Sequence, residues 1–285
     1  MGPEVSVIIP TYNRARYVPH AIQSVLDQTF EDFEVIVVDD ASTDNTRELI
    51  EKFEDERIYY IRHKKNRGGS AARNTGIKHS RGKFIAFLDD DDLWMPTKLE
   101  KQLDLINKNP RVGVVYTGAL EINNSGHVRG FHVPSRRGNI FPAILSKNYV
   151  GSCSRVLARK ECLDKTGFFD ENLPASQDFD LWVRLAKCYE FDYVEEPLVL
   201  YRVHEKRISS NPYLKTQALK LVFKKFSKEL SMVDIRKILA SWHFAFGRAY
   251  CRCGDMGAGK REFVNAIRKD PFSILFYARL FASFF

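Results

Sequence analysis

Apolar and polar residues alternate in blocks over the first hundred residues, and the block lengths predict strands and helices. Four short runs that are apolar except for Ser6 and Glu34 predict strands: 5–9, 33–38, 58–61 and 84–88. Four longer stretches carry apolar residues at helical spacing: 17–28, 46–53, 69–79 and 96–107. Strands with so few polar positions are typically buried on both faces. This order therefore predicts an α/β fold, with a parallel sheet flanked by helices.

The pattern changes after residue 111. Residues 112–116 predict another strand, and Asn-Asn-Ser-Gly at 123–126 is typical of a hairpin turn. Further on, 181–186 predicts a helix, and 193–201 predicts an edge strand that a proline interrupts. Beyond about residue 206 the chain becomes helical and basic, which predicts an appended helical region.

Composition limits the class of protein. The 285 residues are 44% apolar and 28% charged, as in a globular protein. The five cysteines are odd in number and form no Cys-x-x-Cys pair, so we expect free thiols and no zinc site. The apolar run 5–9 is too short for a signal peptide and precedes Pro10, which favours a cytoplasmic protein. The net charge of +8 suits phosphate or anionic lipid, and without a nucleic-acid motif we expect no nucleic-acid partner.

Four carboxylates follow the apolar run 84–88, at Asp89, Asp90, Asp91 and Asp92. At 4 Å a like-charge pair costs about 1 kcal/mol in water and about 4 kcal/mol at an effective dielectric of 20. A divalent cation, Mg²⁺ or Mn²⁺, would offset that repulsion, whereas a solvated acidic turn would need none. Polar residues also follow the runs 5–9 and 33–38. Because ligands bind at the carboxyl ends of such strands, the three ends predict one site.

Several segments resemble the family 2 glycosyltransferases. They are Val-Ser-Val-Ile-Ile-Pro-Thr-Tyr-Asn (5–13), Val-Val-Asp-Asp-Ala-Ser-Thr-Asp (37–44), Gly-Gly-Ser-Ala-Ala-Arg-Asn-Thr-Gly (68–76), Phe-Leu-Asp-Asp-Asp-Asp (87–92), Gln-Asp-Phe-Asp-Leu-Trp-Val-Arg-Leu (177–185) and Tyr-Arg-Val-His (201–204). They occur in the family's order over about residues 4–210. The resemblance implies a GT-A fold, a nucleoside-diphosphate sugar donor, a divalent metal and inversion at the anomeric carbon.

The resemblance also implies roles for individual residues in donor binding. The nucleobase would be held by Pro10, Thr11, Tyr12 and Asp40. A tyrosine face can stack on a base, and a carboxylate can accept its N–H. Tyr12 as a core aromatic, and Asp40 as a cap or turn residue, remain alternatives. Arg73 suits phosphate or ribose oxygens, unless it is a surface arginine.

The acidic run maps onto the family's Asp-x-Asp motif. Asp91 is then the predicted metal ligand, and Asp89 would contact the ribose or a metal-bound water. Asp90 fills the variable slot beside the donor, and Asp92 has the weakest claim. His204 would meet the metal or the diphosphate. The metal, Mn²⁺ or Mg²⁺, would stabilise the departing nucleotide.

Inversion requires a general base that takes the acceptor's proton. The family places it in a Glu-Asp pair, of which only the second acid, Asp178, is present here, after Gln177. Losing the neighbouring charge makes Asp178 easier to ionise. Asp180 is the alternative base, although an acid favoured by the helix dipole is the simpler interpretation of it.

The predicted enzyme is a metal-dependent hexosyltransferase-type protein with three parts. Residues 1–118 would bind the nucleotide-sugar, 119–210 would bind the acceptor within the same domain, and 211–285 would form a C-terminal helical region. The expected donor is UDP-linked, with guanosine and thymidine open. The expected acceptor is a glycan or a lipid-linked molecule in cell-surface polysaccharide or glycoconjugate synthesis.

Two other functions stay open. A sugar nucleotidyltransferase can share a similar sheet, but it would need a Gly-rich loop where Pro-Thr-Tyr-Asn-Arg stands at 10–14. A catalytically silent nucleotide-sugar-binding scaffold would fit Gln177 and the helical tail.

The end of the chain has its own pattern. Residues 249–271 resemble one tetratricopeptide-like unit, which needs neighbours to form a solenoid. Residues 272–285 are rich in phenylalanine, with Arg279 as the one charged residue. About 14 residues reach only about 21 Å, short of a hydrocarbon core of about 30 Å. This segment would lie at the inner face of the membrane, pair with another subunit, or pack internally.

Overall fold

The computed structural model describes residues 2–203 and 211–283, so the prediction for His204 lies outside the described residues. Two compact units are formed, which we describe separately. The first contains residues 2–140, 149–172 and 177–203. The second contains 141–148, 173–176 and 211–283. The three functional parts proposed from the sequence remain a prediction.

The first unit contains one sheet with helices on both sides. Its elements in chain order are β1 (Val5–Thr11), α1 (Val18–Leu26), β2 (Phe33–Asp39), α2 (Thr46–Ile50), β3 (Ile58–Arg62), α3 (Gly69–His79), β4 (Phe84–Phe87), β5 (Leu93–Trp94), α4 (Lys98–Lys108), β6 (Val112–Ile122), β7 (Val128–His132), β8 (Val156–Arg159), α5 (Lys160–Thr166), α6 (Gln177–Cys188) and β9 (Glu190–Arg202). Short 3₁₀ turns precede β8 at Cys153–Arg155 and, in the second unit, occupy Ala143–Ser146.

The strand order is β3-β2-β1-β4-β8-β6-β9-β5, and β7 pairs with β6. The first four strands in this order are parallel, as the apolar runs predict. Beyond them the sheet is mixed, because β8 runs antiparallel to both β4 and β6. The parallel sheet predicted from the first hundred residues is therefore confirmed for β1 to β4, and the strands after the acidic run add a mixed half.

Complete burial explains why apolar and polar residues hardly alternate along β1 and β2. All seven residues of each strand are buried. One face packs against α1, for example through Ile22. On the other face, α3 lies so close to β1 that a side chain at Gly76 would collide with Ile8. A helix on each side thus removes both faces of the parallel strands from water.

Two predicted strands differ from the structure. β1 continues through Pro10. The strand tolerates a proline at this position because β1 pairs with β4 only as far as Ile8. The strand predicted at 193–201 is not an edge strand, since β9 pairs with β6 on one side and β5 on the other. The register of β6 and β9 shifts around the Gly118–Pro197 pair, which accommodates the second proline.

The predicted hairpin turn is confirmed between β6 and β7. The Gly126 N–H donates to the Asn123 carbonyl at 3.0 Å, and Gly126 has a φ of 82°. The Asn123 side chain accepts from the N–H groups of Ser125 and His127.

The second unit is helical, as predicted. Its helices are α7 (Pro212–Phe226), α8 (Met232–Arg252), α9 (Met256–Lys269) and α10 (Ile274–Ala282). Side chains of Asn211, Ser231 and Asp255 accept hydrogen bonds from the first turns of α7, α8 and α9. Among the helices described, none has both the length and the apolar composition needed to cross a membrane.

Candidate active site

The carboxyl ends of β1, β2 and β4 meet at one edge of the sheet. Thr11 pairs with Asp39 in register, and the Leu88 N–H donates to the Ile8 carbonyl at 3.0 Å. The residues that follow these strands, among them Tyr12 and Asp40, therefore lie at a common edge, as the sequence predicts. Tyr12 is 44% exposed and so is not a core aromatic, whereas Thr11 is buried. Pro10 is buried inside β1.

Asp40 holds the loop that leads into α3. It is 3% exposed, and its carboxylate accepts from the backbone N–H groups of Arg67 and Gly68 at 2.9 and 2.6 Å. His63 Nδ1 lies 2.7 Å from the same carboxylate. The structure thus gives Asp40 a positioning role at the donor edge, and its predicted contact with a nucleobase stays a prediction.

The four carboxylates of the acidic run have different environments. Asp92 is fully buried and accepts from the Ser154 hydroxyl at 2.6 Å and from the Arg202 N–H at 2.8 Å. The side chains of Asp89 and Asp91 are 27% and 18% exposed. Only these two acids combine exposure with a place at the strand end, which matches the predicted Asp-x-Asp pair.

Burial changes the protonation of the other two acids. It raises the pKa of Asp90 to about 7, with a further contribution from Asp91. The Thr11 hydroxyl and Arg14 oppose this shift, although Thr11 Oγ1 makes no hydrogen bond of standard geometry within the described residues. Burial also raises the pKa of Asp92 well above its usual value. Partial protonation therefore relieves some of the repulsion between the four acids.

Two arginines relieve more of it. Arg73 Nη2 donates to Asp89 Oδ1, and the guanidinium lies 5.6 Å from the centre of the Phe169 ring. Burial alone would lower the pKa of Arg73, but the charges of Asp89, Cys153 and Asp178 raise it above its usual value. Arg14 lies 3.9 Å from both Asp90 and Asp91. Arg73 is thus at the site rather than on an open surface.

The sequence interpretation missed Arg14, Ser154 and Arg202. Arg14 had a signal, because it follows β1 within the segment assigned to the site. Arg202 stands in the Tyr-Arg-Val-His segment, in which only the histidine was predicted to belong to the site. Its Nε donates to the Asp91 carbonyl at 3.0 Å. Ser154 also binds the Asp89 N–H at 3.0 Å, across 65 residues of sequence. No local pattern marks such a residue.

A pocket of about 450 Å³ opens next to this edge. Its lining includes Asn13, Arg14, Arg16, Tyr17 and Asp44. The Asn13 side chain accepts from the Thr43 N–H at 2.7 Å and so joins the segments after β1 and β2. Arg14 belongs both to the pocket and to the acidic run.

The two candidate bases on α6 differ in their surroundings. Asp178 stands in the first turn and is partly exposed, and its Oδ1 accepts from the Phe179 N–H at 2.7 Å. Asp180 is fully buried and paired with Arg184 Nε at 2.9 Å. Arg184 also donates to three carbonyls where α5 ends and the following loop begins, at Thr166, Gly167 and Phe168. This geometry gives Asp180 a structural role and leaves Asp178 as the candidate base.

The residues present fit a divalent cation only if the donor helps to hold it. The described ranges contain no group of three His, Cys, Asp or Glu side chains arranged around a metal position. Mg²⁺ is commonly bound by one or two carboxylates, with substrate phosphates and water as its other ligands. Asp91 and Asp89 can supply those carboxylates at the strand end. His204, the other predicted ligand, lies outside the described residues.

Fold and site together define an α/β protein whose sheet carries, at its carboxyl edge, a candidate site of carboxylates and guanidinium groups suited to a phosphorylated ligand. The Glycosyl transferase family 2 model matches residues 6–165, and the chain belongs to this family. Over 211 residues it is 34% identical to the UDP-Glc:alpha-D-GlcNAc-diphosphoundecaprenol beta-1,3-glucosyltransferase WfgD of Escherichia coli, covering 73% of this chain and 81% of WfgD. Some other curated relatives are longer, and the chain spans 26–33% of their length.

Two solved structures share the fold. Staphylococcus aureus TarS 1-349 in complex with UDP-GlcNAc has a TM-score of 0.65 and 20% identity, covering 94% of this chain and 92% of that chain. The mannosyltransferase PcManGT from Pyrobaculum calidifontis, in complex with GDP-Man and Mn²⁺, has a TM-score of 0.65 and 21% identity, covering 99% and 79%. The predicted family and GT-A fold are therefore confirmed.

Proposed function

We propose that the chain is an inverting, metal-dependent glycosyltransferase. It moves a hexosyl group from a UDP-sugar to a hydroxyl of a lipid-linked glycan in cell-surface polysaccharide synthesis, at the cytoplasmic side of the membrane. The named activity of WfgD supports the UDP-linked donor and the lipid-linked acceptor. The UDP-GlcNAc complex of TarS supports the same base, while GDP-Man in PcManGT keeps guanosine as the alternative.

One observation carries the proposal. Arg73, on α3, forms an ion pair with Asp89 at the end of β4, and the charge of Asp178, on α6, helps to raise the pKa of the same arginine. A donor-binding arginine, a strand-end acid and a candidate base thus share one electrostatic environment. Transfer to an acceptor hydroxyl needs these three elements near one reacting carbon.

Each side chain then has a task. The exposed ring of Tyr12 stacks on the nucleobase, beside the loop that Asp40 holds in place. Arg73 donates to a phosphate or ribose oxygen. Asp91 would hold the Mn²⁺ or Mg²⁺, with Asp89 beside it at the ribose or a metal-bound water. The metal would supply positive charge against the departing diphosphate. Asp178 takes the proton from the acceptor hydroxyl as that oxygen attacks the anomeric carbon.

The test is Asp178→Asn, assayed with a panel of UDP-Glc, UDP-GlcNAc and GDP-Man, Mn²⁺, and a GlcNAc-diphospho-lipid acceptor. We expect kcat for transfer to fall by about 10²–10⁴-fold, the usual contribution of a general base. Donor affinity, measured by calorimetry, should not change. Asp104→Asn, an exposed acid on α4, is the matched control.

Two results would contradict the proposal. A variant that keeps more than about a tenth of wild-type kcat would exclude Asp178 as the base. Donor binding without turnover of any panel member would instead favour a nucleotide-sugar-binding scaffold.

A further inference from the structure

The positive charge of the chain is concentrated in its C-terminal part. Residues 211–285 contain 14 of the 44 basic residues but only 5 of the 36 acidic ones, a net charge of +9. The first 210 residues contain 30 basic and 31 acidic residues, a net charge of −1. The excess that suits an anionic partner therefore belongs to the helical region and not to the sheet that carries the candidate active site.

α10 turns an apolar face to solvent. Its buried side is marked by Phe276, whose ring centre lies 4.9 Å from that of Phe244 on α8. The other side carries apolar residues of high exposure: Ile274 at 83%, Leu275 at 57%, Tyr277 at 48% and Phe281 at 68%. Phe272, just before the helix, is 92% exposed. Contiguous exposed apolar residues of this size mark an interaction surface.

A cluster of arginines lies at the same helix. Burial lowers the pKa of Arg248, and the positive charges of Arg252 and Arg279 lower it further. Helical spacing places Arg248 and Arg252 one and two turns after Phe244 on α8, and Arg279 one turn after Phe276 on α10, so all three lie within two turns of the contact between these two rings. Within 2–203 and 211–283, no carboxylate forms an ion pair with any of them. The cluster is thus a concentration of positive charge that the described residues leave uncompensated.

We propose that the exposed face of α10, together with this arginine cluster, binds the surface of a bilayer that contains anionic lipids. An interfacial helix combines an apolar face with basic residues and lies in the plane of the headgroups. Nine residues of helix reach only about 14 Å, so α10 lies on the bilayer and does not cross it. A second copy of the chain fits less well, because two regions of charge +9 would repel each other.

The binding surface is independent of the proposed reaction, although it would bring the enzyme to a lipid-linked acceptor. The experiment is co-sedimentation of the full chain with vesicles of phosphatidylcholine, with and without phosphatidylglycerol. We expect binding only with phosphatidylglycerol and weaker binding as salt is added. The triple variant Arg248→Gln, Arg252→Gln, Arg279→Gln should bind on the order of 100-fold more weakly, at about 1 kcal/mol per charge.

The apolar face is tested by Ile274→Gln with Phe281→Gln, which should weaken vesicle binding by about tenfold or more. The matched control is Phe131→Gln with Val133→Gln, since these residues are 73% and 77% exposed but lie in the first unit. All variants should keep the wild-type circular dichroism and the wild-type rate of hydrolysis of a soluble donor. If the wild-type chain hydrolysed the donor but did not bind vesicles, the membrane inference would be wrong and the proposed glycosyltransferase function would stand.

Other results would also overturn it. Equal pelleting with and without phosphatidylglycerol would show that the positive charge of the arginine cluster does not contribute to vesicle binding. Wild-type binding by the Ile274 and Phe281 variant would remove the role of α10. A wild-type dimer that this variant converts to monomer, without vesicle binding, would make the face a subunit interface.

Discussion

Two clusters of buried charge in the first unit offer a direct comparison. The acidic turn, defined as Asp89–Asp92, lies at the open edge of the sheet with Arg14 and Arg73 beside it. The basic pair, defined as Lys98 and Arg155, lies in the interior, 0% and 4% exposed. Among the described residues, no carboxylate forms an ion pair with either member of the basic pair.

The basic pair is accommodated by neutral groups. Lys98 Nζ donates to Gln102 Oε1 at 2.7 Å and lies 3.8 Å from the centre of the Trp94 ring. Arg155 Nε donates to the Thr117 carbonyl at 2.6 Å. Burial lowers the pKa of Arg155 to about 10, and it lowers that of Lys98 well below its usual value.

The two clusters differ in their ability to bind a charged ligand. In the interior, burial shifts Lys98 toward its neutral form, and the side chain is fully buried, so it offers nothing to a ligand. At the turn, Asp90 and Asp92 are shifted toward the neutral form. Asp89 and Asp91 lie beside Arg73 and Arg14, which a ligand could displace. A cluster of side chains with shifted pKa values is a candidate functional site. The acidic turn differs from the basic pair because it has partly exposed side chains of opposite charge, Arg14 and Arg73, beside it.

The largest expected effect is at the exposed acids of the turn. Asp91→Asn should lower kcat/KM for transfer by at least about 100-fold, because the metal loses its predicted carboxylate ligand. Mn²⁺ binding in the presence of UDP, followed by electron paramagnetic resonance, should weaken in parallel.

Asp92→Asn is the matched control. Its buried carboxyl favours the neutral form, and an amide can keep partners with Ser154 and the Arg202 N–H. Transfer should therefore stay within a few-fold of wild type. If Asp92→Asn lost as much Mn²⁺ affinity as Asp91→Asn, the assignment of ligands within the turn would be wrong.

The sequence predicted residues that line the candidate site, but it did not predict the residues that fix their positions. Tyr12, Arg73 and Asp89 were identifiable because they follow apolar runs or stand in motifs that resemble the family. The burial of Asp92 was not, since it depends on Ser154 and Arg202, which lie 62 and 110 residues away. The mixed half of the sheet was missed for the same reason: β8 is recognised only by its pairing with β4 and β6.

Removing the group that holds the turn should destabilise the fold. Ser154→Ala leaves the Asp89 N–H and the Asp92 carboxyl without their hydroxyl partner, which should cost about 1–3 kcal/mol. The measurement is urea unfolding followed by tryptophan fluorescence, since Trp94 Nε1 donates to the Ser154 carbonyl at 2.8 Å. Ser125→Ala, at an exposed turn position, should leave the midpoint unchanged. Equal midpoints for the two variants would show that Ser154 does not hold the turn.

The interior pair should respond in the opposite direction. Lys98→Met should stabilise the chain by about 1–2 kcal/mol near neutral pH, because a buried amine that forms no ion pair within the described residues is replaced by an apolar chain of similar length. Burial lowers the pKa of Lys98, so the folded state binds this proton less tightly than the unfolded chain, whose pKa is near 10.5. Wild-type stability therefore rises with pH towards that value, and the advantage of methionine should shrink there.

Urea unfolding at several pH values measures this effect. Lys108→Met, at an exposed position on the same helix, is the control and should show little change at any pH. A Lys98→Met variant less stable than wild type at neutral pH would mean that the hydrogen bond to Gln102 outweighs the burial cost.

The smallest effect should come from a cation at the turn. Arg14→Gln removes a guanidinium that lies 3.9 Å from both Asp90 and Asp91, in a pair that is partly exposed. Such pairs contribute up to about 1 kcal/mol, so Mn²⁺ should bind up to about fivefold more tightly to the donor-free variant. Electron paramagnetic resonance measures this affinity, with Arg16→Gln, an exposed neighbour, as the control. Weaker Mn²⁺ binding by Arg14→Gln would mean that Arg14 assists the site. Tighter binding would mean that this arginine occupies the place of the metal until donor and metal arrive, a role that the fully buried amine of Lys98 cannot perform.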